Sequence, residues 1–243
     1  SCLPRCCCIS FMKESGTRLI GENKKAKFKV IKDLRTMAYT EEQIHKLNQQ
    51  FKGIPPEEII SWAIQSAKNP LVTTNFRPYE VAILHAVTDV SPHIPVVWCD
   101  TGYNTPNTYK HAEELIARLH LNVKLYVPKQ TSSHRDAIMG IPGIDDPRHQ
   151  LFTEQVKLEP FRRAMEEHKP DVWFTNLRQG QTALRDSLDI LSLSRDGVLK
   201  VSPFYHYNDS QLDAYLKDRN LPNEHKYFDP TKVLENRECG LHT

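Results

Sequence analysis

The sequence predicts an α/β fold in which a parallel, twisted sheet is covered by helices on both faces. Short apolar runs typical of buried strands alternate with amphipathic segments of helix length along most of the chain. Connections of helix length join parallel strands, which are then buried on both sides. The 243 residues are 39% hydrophobic and 26% charged, which is sufficient apolar material for one large domain.

Two helices are expected to precede the sheet. A capping box over residues 40–43 begins a short helix that runs to Leu47. The sequence Pro55-Pro56-Glu57 begins a second one, because proline is favoured in the first turn of a helix.

Strands and helices then alternate. The strands are expected at residues 71–74, 94–99, 123–127, 172–175 and 198–201. Helices are expected at residues 78–90, 106–119, 131–139, 150–168 and 209–217.

Three segments are predicted along the chain. Residues 1–38 are basic and aperiodic, and we expect a loose extension there. Its four cysteines crowd the first eight residues, and our preferred interpretation is a tag, a cloning scar or a misassigned start upstream of Met12. Residues 39–221 form the α/β domain. Residues 222–243 are polar and contain two prolines, so we expect a mobile tail.

Composition excludes several classes of protein. The formal charge is only +2, which argues against nucleic-acid binding through a broad basic surface. No apolar run approaches the roughly 20 residues that span a bilayer, and no signal-peptide pattern is present. The cysteines do not form a disulfide framework, so a reducing, cytoplasmic location is expected.

Ligands of open parallel sheets bind where the strands end. Thr73 and Thr74 end the first strand, and Asn75 follows them. With Arg77 these residues form either an anion site at a helix start or a strand end with a simple cap. Asp100, Thr101 and Gly102 follow the second strand. There Asp100 accepts from a ribose hydroxyl or caps backbone donors, and Gly102 permits a positive φ angle.

Five cationic side chains are candidates for a phosphate clamp, and the alternative is that they are solvated surface charges. Arginine forks bind planar oxyanions with two hydrogen bonds, which makes the clamp chemically reasonable. The candidates are Lys157, Arg163, Arg178, Arg185 and Lys200.

Cys239 is the candidate nucleophile. Arg237 and His242 flank it, and nearby positive charge lowers the pKa of a thiol and favours the reactive thiolate. The alternative is an idle cysteine near a frayed end. Cys99 lies in an apolar run and is better explained as a small buried hydrophobic residue.

Several motifs occur together in order, and on them the sequence resembles the phosphoadenylyl-sulfate (PAPS) reductases, the thioredoxin-dependent enzymes of assimilatory sulfate reduction. The resemblance runs from about Pro56 to the end of the chain. The motifs are Asp100-Thr101-Gly102-Tyr103 with Pro106, Thr108 and Tyr109; Lys157-Leu158-Glu159-Pro160 with Arg163; Leu177-Arg178; Lys200-Val201 with Pro203; and Glu238-Cys239-Gly240-Leu241-His242.

The resemblance implies an adenine-nucleotide α-hydrolase-like fold and a homodimer. It also implies that the Cys239 thiolate attacks the sulfur of PAPS, leaving an S-sulfocysteine and adenosine 3′,5′-bisphosphate. Thioredoxin or glutaredoxin then releases sulfite. The leaving group is a phosphate, so Lys157, Arg163 and Arg178 would stabilise it, with Thr73 to Asn75 cradling phosphate and Arg185 and Lys200 as further candidates.

No bound cofactor or metal is expected. Relatives that reduce adenylyl sulfate carry additional cysteine pairs for an iron–sulfur cluster, and no cysteine lies between Cys99 and Cys239. This favours PAPS as the substrate.

Two departures from the family pattern touch the expected pocket. Arg77 stands where the family has glycine, and Gln179-Gly180-Gln181 replaces a stretch with arginine and glutamate. One alternative is an ATP-pyrophosphatase of the same fold, although the loop after the first strand lacks the glycines that such enzymes need. Another is a non-catalytic nucleotide-binding or thioredoxin-interacting relative.

Overall fold

The computed structural model describes residues 39–232. The predictions for residues 1–38 and for Arg237, Cys239 and His242 lie outside the described residues. No helix within residues 39–232 is long and apolar enough to cross a bilayer. The helices are α1 (Glu41–Phe51), α2 (Pro56–Ser66), α3 (Glu80–Val90), α4 (Pro106–Leu119), α5 (Ser132–Ile138), α6 (His149–Thr153), α7 (Glu159–His168), α8 (Ala183–Asp186) and α9 (Asp209–Asp218).

Within residues 39–232, six strands form one sheet in the order β3-β2-β1-β4-β6-β5. They are β1 (Pro70–Thr74), β2 (Pro95–Cys99), β3 (Asn122–Tyr126), β4 (Val172–Phe174), β5 (Leu191–Leu193) and β6 (Leu199–Val201). Every pairing is parallel except that of β5 with β6. The predicted α/β class and its parallel sheet are therefore confirmed.

Two short elements were not predicted. Strand β5 has three residues and only Leu191 is buried, so it shows no usable alternation. It is specified by its antiparallel pairing with β6. Helix α8 has four residues, too few for a helical period to be visible.

The predicted helix over 150–168 is a continuous helical path with a π-helical turn at Glu154–Leu158 between α6 and α7. Such turns insert an extra residue into the helix and frequently occur at functional sites. This one carries Lys157, which is buried.

Helices cover both faces of the sheet. Helix α7 packs on one face through Ala164, Phe161 and Met165, against the sheet residues Leu71, Val97, Cys99, Tyr126 and Trp173. Side chains alternate along a strand, so Val72, Val96 and Phe174 lie on the opposite face, where they are fully buried. Helix α3 contacts β1 and packs against α2, α4 and α9.

The strand order creates a crevice between β1 and β4. The chain moves outward from β1 through β2 to β3, and then returns to place β4 on the other side of β1. The connections leave β1 and β4 in opposite directions, which separates the loops that follow them. Ligands of open α/β sheets bind at such a switch point, beyond the carboxyl ends of the strands.

Candidate active site

A cavity lies at this switch point. The ends of β1 and β4 contribute to its wall together with the π turn, α8 and residues of the predicted tail. Its lining includes Thr73, Thr74, Asn75, Arg77, Glu80, Cys99, Lys157, Thr175, Asn176, Arg185, Tyr227, Asp229 and Lys232. Five of the predicted substrate-binding residues therefore meet in one place: Thr73, Thr74, Asn75, Lys157 and Arg185.

The loop after β1 is organised by Glu80, the first residue of α3. Its carboxylate accepts from the Thr74 hydroxyl at 2.8 Å, from the Asn75 amide at 2.7 Å and from Arg77 Nε at 2.8 Å. Thr73 Oγ1 accepts from the Trp173 indole at 2.9 Å. The donors of Thr74, Asn75 and Arg77 thus serve an internal carboxylate.

Two residues of the same loop adopt the left-handed backbone region without being glycine. Phe76 has φ 53° and Tyr79 has φ 67°. Phe76 is buried and packs edge-on against Trp98, with ring centroids 4.8 Å apart. Non-glycine residues in this region cost energy and persist where surrounding contacts compensate, as the Glu80 network and the Phe76 packing do here.

Positive charge predominates in the cavity. Among the described lining residues, Arg77, Lys157, Arg185 and Lys232 are cationic, and Glu80 and Asp229 are anionic, so cations exceed anions by two (4 − 2). Arg77 bridges the two sides of the crevice, because it pairs with Glu80 and donates to the Asn176 carbonyl at 3.3 Å. Such a lining suits an anionic ligand.

Arg185 and Asn176 are two buried polar side chains on the β4 side of the cavity. Arg185 is 3% exposed, and its guanidinium donates to Gln181. Asn176 is 6% exposed, and its Oδ1 has no hydrogen-bond partner among the described residues. A buried acceptor without a partner is costly, and a donor group of a bound ligand would satisfy it.

The segment after β2 forms a turn outside the cavity lining. Asp100 accepts from the Gly102 amide at 2.9 Å, from Asn104 Nδ2 at 2.8 Å and from the Tyr109 hydroxyl at 3.0 Å. Gly102 has φ 78°, which fits the predicted need for glycine. Thr101 accepts from the Tyr103 amide at 3.2 Å. Of the two interpretations of Asp100, these contacts favour the cap of local donors.

Three predicted phosphate ligands also lie outside the cavity lining. Arg163 pairs with Glu159 and donates to the Val127 carbonyl at 2.8 Å. Arg178 Nη1 lies 2.6 Å from Asp209. Lys200 is buried in β6 beside a groove under α7, and burial lowers its pKa.

A segment of the predicted tail, which we call the C-terminal strap (residues 223–231), contributes to the site, although none of the site residues expected from the sequence lies in it. Asn223 accepts from the Tyr79 amide at 2.8 Å, and the Lys226 carbonyl accepts from Thr105 at 3.0 Å. Farther along, Tyr227 and Asp229 line the cavity. Nothing in the polar composition of this segment could indicate which side chains turn inward.

Cys99 brings a thiol to the cavity, but a poorly reactive one. It is 6% exposed and belongs to the apolar cluster under α7. Burial raises the pKa of the Cys99 thiol to about 12, despite the nearby charges of Lys157 and Arg163. Since the thiolate is the nucleophile, Cys99 is unsuited to attack at neutral pH.

Comparison with known proteins identifies the family. The sequence profile of the phosphoadenosine phosphosulfate reductase domain matches residues 69–229, which include β1 to α9 and most of the strap. The chain belongs to the phosphoadenosine phosphosulfate reductase family. It is accordingly an oxidoreductase of sulfate reduction, as the motif resemblance implied.

Named relatives agree with the family match. A phosphoadenosine 5′-phosphosulfate reductase of Xylella fastidiosa strain M12 is 34% identical over 230 residues, covering 83% of this chain and 94% of the relative. One from Vibrio cholerae is 33% identical, covering 74% of this chain and 72% of the relative.

Solved structures show the same fold. The phosphate complex of a phosphoadenylyl-sulfate (PAPS) reductase from Candida auris matches with a TM-score of 0.68 at 23% identity, over 77% of this chain and 90% of that one. An FMN adenylyltransferase from Candida glabrata matches with a TM-score of 0.52 at 11% identity, over 78% and 62%. The fold is therefore shared with nucleotide-binding α/β proteins of more than one activity.

Proposed function

We propose that this member of the family reduces PAPS to sulfite and adenosine 3′,5′-bisphosphate, with Cys239 as nucleophile and thioredoxin or glutaredoxin as reductant. The observation that carries the proposal is the excess of cations in a cavity at the switch point of a nucleotide-binding fold. A cytoplasmic homodimer without bound cofactor is part of the same proposal.

The first chemical step is a transfer of the sulfonate group. The Cys239 thiolate attacks the PAPS sulfur, a sulfur–sulfur bond forms, and the bond between sulfur and the bridging oxygen breaks. The electron pair stays on the phosphate of adenosine 3′,5′-bisphosphate. Fixed cations stabilise that developing charge, and Arg185 and Arg77 are well placed for this role in the cavity.

The second step regenerates the thiol. One thioredoxin thiolate attacks Cys239 Sγ, and sulfite leaves with the electron pair of the sulfur–sulfur bond. The second thioredoxin thiol then resolves the mixed disulfide, so that thioredoxin is oxidised by two electrons and Cys239 returns as a thiolate.

The internal hydrogen bonds of the loop after β1 change which groups are expected to bind phosphate. Because Thr74 and Asn75 donate to Glu80, we infer that phosphate contacts depend mainly on side-chain cations. Asn176 Oδ1 is suited to accept from a hydroxyl or amino group of the nucleotide.

Arg185→Ala should weaken binding of adenosine 3′,5′-bisphosphate by about 1.5–3 kcal/mol, the usual value of a hydrogen bond to a charged group. That corresponds to roughly 10- to 150-fold in Kd, measured by calorimetry. Arg148→Ala is the matched control, because Arg148 is exposed and pairs with Asp146 away from the cavity lining. Equal affinities of wild type and Arg185→Ala would remove Arg185 from the binding site.

Purified protein should be colourless, because the sequence supplies no cysteine between Cys99 and Cys239 to hold an iron–sulfur cluster in the core. The measurement is a visible absorption spectrum together with an iron assay. Stoichiometric iron with cluster absorbance would contradict the PAPS assignment.

A sulfite-release assay with reduced thioredoxin tests the proposed function directly, comparing PAPS with adenylyl sulfate. We expect sulfite from PAPS, and at most slow turnover of adenylyl sulfate. Pyrophosphate release from ATP would favour the ATP-pyrophosphatase alternative. Nucleotide binding without turnover of any of these substrates would favour a non-catalytic relative.

A further inference from the structure

Lys157 and Asp229 form a buried ion pair between the π turn and the C-terminal strap. The Lys157 side chain is 2% exposed and that of Asp229 is 7% exposed. Lys157 Nζ also donates to Thr231 Oγ1 at 3.3 Å. The pair joins residues 72 positions apart in the sequence, so it attaches the strap to the body of the domain.

Thr231 completes the network. Asp229 Oδ1 accepts from the Thr231 amide at 3.0 Å and from its hydroxyl at 2.6 Å. Burial acts to raise the pKa of the Asp229 carboxyl, but the charge of Lys157 and the hydrogen bonds from Lys157 and Thr231 outweigh it and hold that pKa below its usual value. The carboxylate is therefore charged at neutral pH, and each of its oxygens has a partner.

The strap needs such an attachment because residues 223–231 contain no helix or strand. Its backbone lacks the regular hydrogen-bond ladders that hold the rest of the domain, so side-chain contacts determine its path. The contacts of Asn223 and Lys226 hold the first half of the strap, and the Lys157–Asp229 pair holds the second half at the cavity.

We propose that Lys157 is a positioning residue, which fixes the strap through Asp229 so that the following residues deliver Cys239 to the cavity. The inference rests on the proposed role of Cys239 as nucleophile. Cys239 is ten positions after Asp229 (239 − 229), and an extended chain of that length spans at most about 33–36 Å. A short tether with a fixed origin raises the effective concentration of the thiol at the substrate.

This role differs from the phosphate contact first expected for Lys157. The two roles predict different effects of Asp229→Asn. If Lys157 positions the strap, losing the Asp229 charge slows turnover and leaves nucleotide affinity unchanged. If Lys157 binds phosphate in competition with Asp229, the same substitution strengthens nucleotide binding, because a competing anion has been removed.

The test compares Lys157→Met, Asp229→Asn and the double variant, with Lys46→Met as control. Lys46 is exposed on α1 and pairs with Glu42 one helical turn away. The double variant removes both charges of this pair together, so it should fold even where a single variant is unstable. We measure kcat and KM for sulfite release, Kd for adenosine 3′,5′-bisphosphate, and hydrogen exchange of peptides from the strap.

Each of the three variants should lose about tenfold in kcat, with KM and Kd within threefold of wild type and faster exchange in the strap. The double variant should have a kcat no lower than that of the slower single variant, because the two substitutions break the same contact. Three outcomes would overturn the proposal. The first is a wild-type kcat in any of the three variants, and the second is a loss in the double variant equal to the product of the two single losses. The third is a tenfold change in Kd on Asp229→Asn or Lys157→Met.

Hydrogen exchange separates this inference from the proposed function. If the wild type makes no sulfite from PAPS, the proposed function fails, and exchange still reports whether the pair holds the strap. Exchange in the strap that stays at the wild-type rate in both single variants would refute the anchor, whatever the enzyme assay shows.

Discussion

Cys239→Ser should abolish sulfite release from PAPS, a loss of at least roughly 10³-fold, the scale on which removal of a nucleophile acts. A serine hydroxyl is almost entirely protonated at neutral pH, so it cannot replace the thiolate. Binding of adenosine 3′,5′-bisphosphate should persist within threefold, because the described residues that line the cavity are unchanged. The measurements are the thioredoxin-coupled assay and calorimetry.

Cys99→Ala is the matched control for this experiment. Cys99 also lines the cavity, but burial raises the pKa of its thiol to about 12. Its thiolate fraction at pH 7 is therefore on the order of 10⁻⁵, which leaves it without a nucleophilic role. Sulfite release should survive in Cys99→Ala. Two results would exclude the proposed assignment of the nucleophile. One is sulfite release by Cys239→Ser, and the other is loss of sulfite release in Cys99→Ala with nucleotide binding intact.

Glu80→Ala should lower the free energy of unfolding by about 2–4 kcal/mol, because the Thr74 hydroxyl, the Asn75 amide and Arg77 Nε lose the carboxylate that accepts from them. Glu80 is 5% exposed and holds the strained loop that contains Phe76 and Tyr79. Its loss should also weaken nucleotide binding, since the loop and Arg77 line the cavity. Chemical denaturation monitored by tryptophan fluorescence gives the stability change.

Glu41→Ala provides the comparison for Glu80→Ala. Both glutamates are the first residue of a helix, but Glu41 is exposed. Its replacement should change stability by no more than about 0.5 kcal/mol, as is usual at exposed positions. Equal stability losses in the two variants would show that the helix-terminal charge, rather than the loop network, accounts for the effect.

Local patterns in the sequence predicted most of the fold. The five predicted strands correspond to β1, β2, β3, β4 and β6. Of these, β1, β2, β4 and β6 are largely buried, and buried parallel strands appear as short apolar runs. The capping box of α1 was also visible, since it depends on residues three positions apart. Strand β5 and helix α8 were too short to carry a period.

Part of the candidate site was also accessible from sequence. Thr73 to Asn75, Lys157 and Arg185 were selected by residue type or by position after a strand, and they line the cavity. Arg163 and Arg178 were selected by the same reasoning, yet they pair with Glu159 and Asp209 outside the lining. The Arg163 partner lies one turn away on the same helix, but Asp209 lies 31 positions from Arg178, and the sequence does not show that these two residues meet.

The sequence by itself determined the α/β class, the family and the candidate nucleophile, because each depends on local periodicity or on a contiguous motif. Only the tertiary structure decided that Glu80 satisfies the β1 loop and that the strap enters the site through Asp229. Lys157 meets its carboxylate 72 residues away, and that encounter depends on the path of the whole chain across the sheet edge. Burial then makes the pairing energetically important, since a lone charge in that position would be strongly disfavoured.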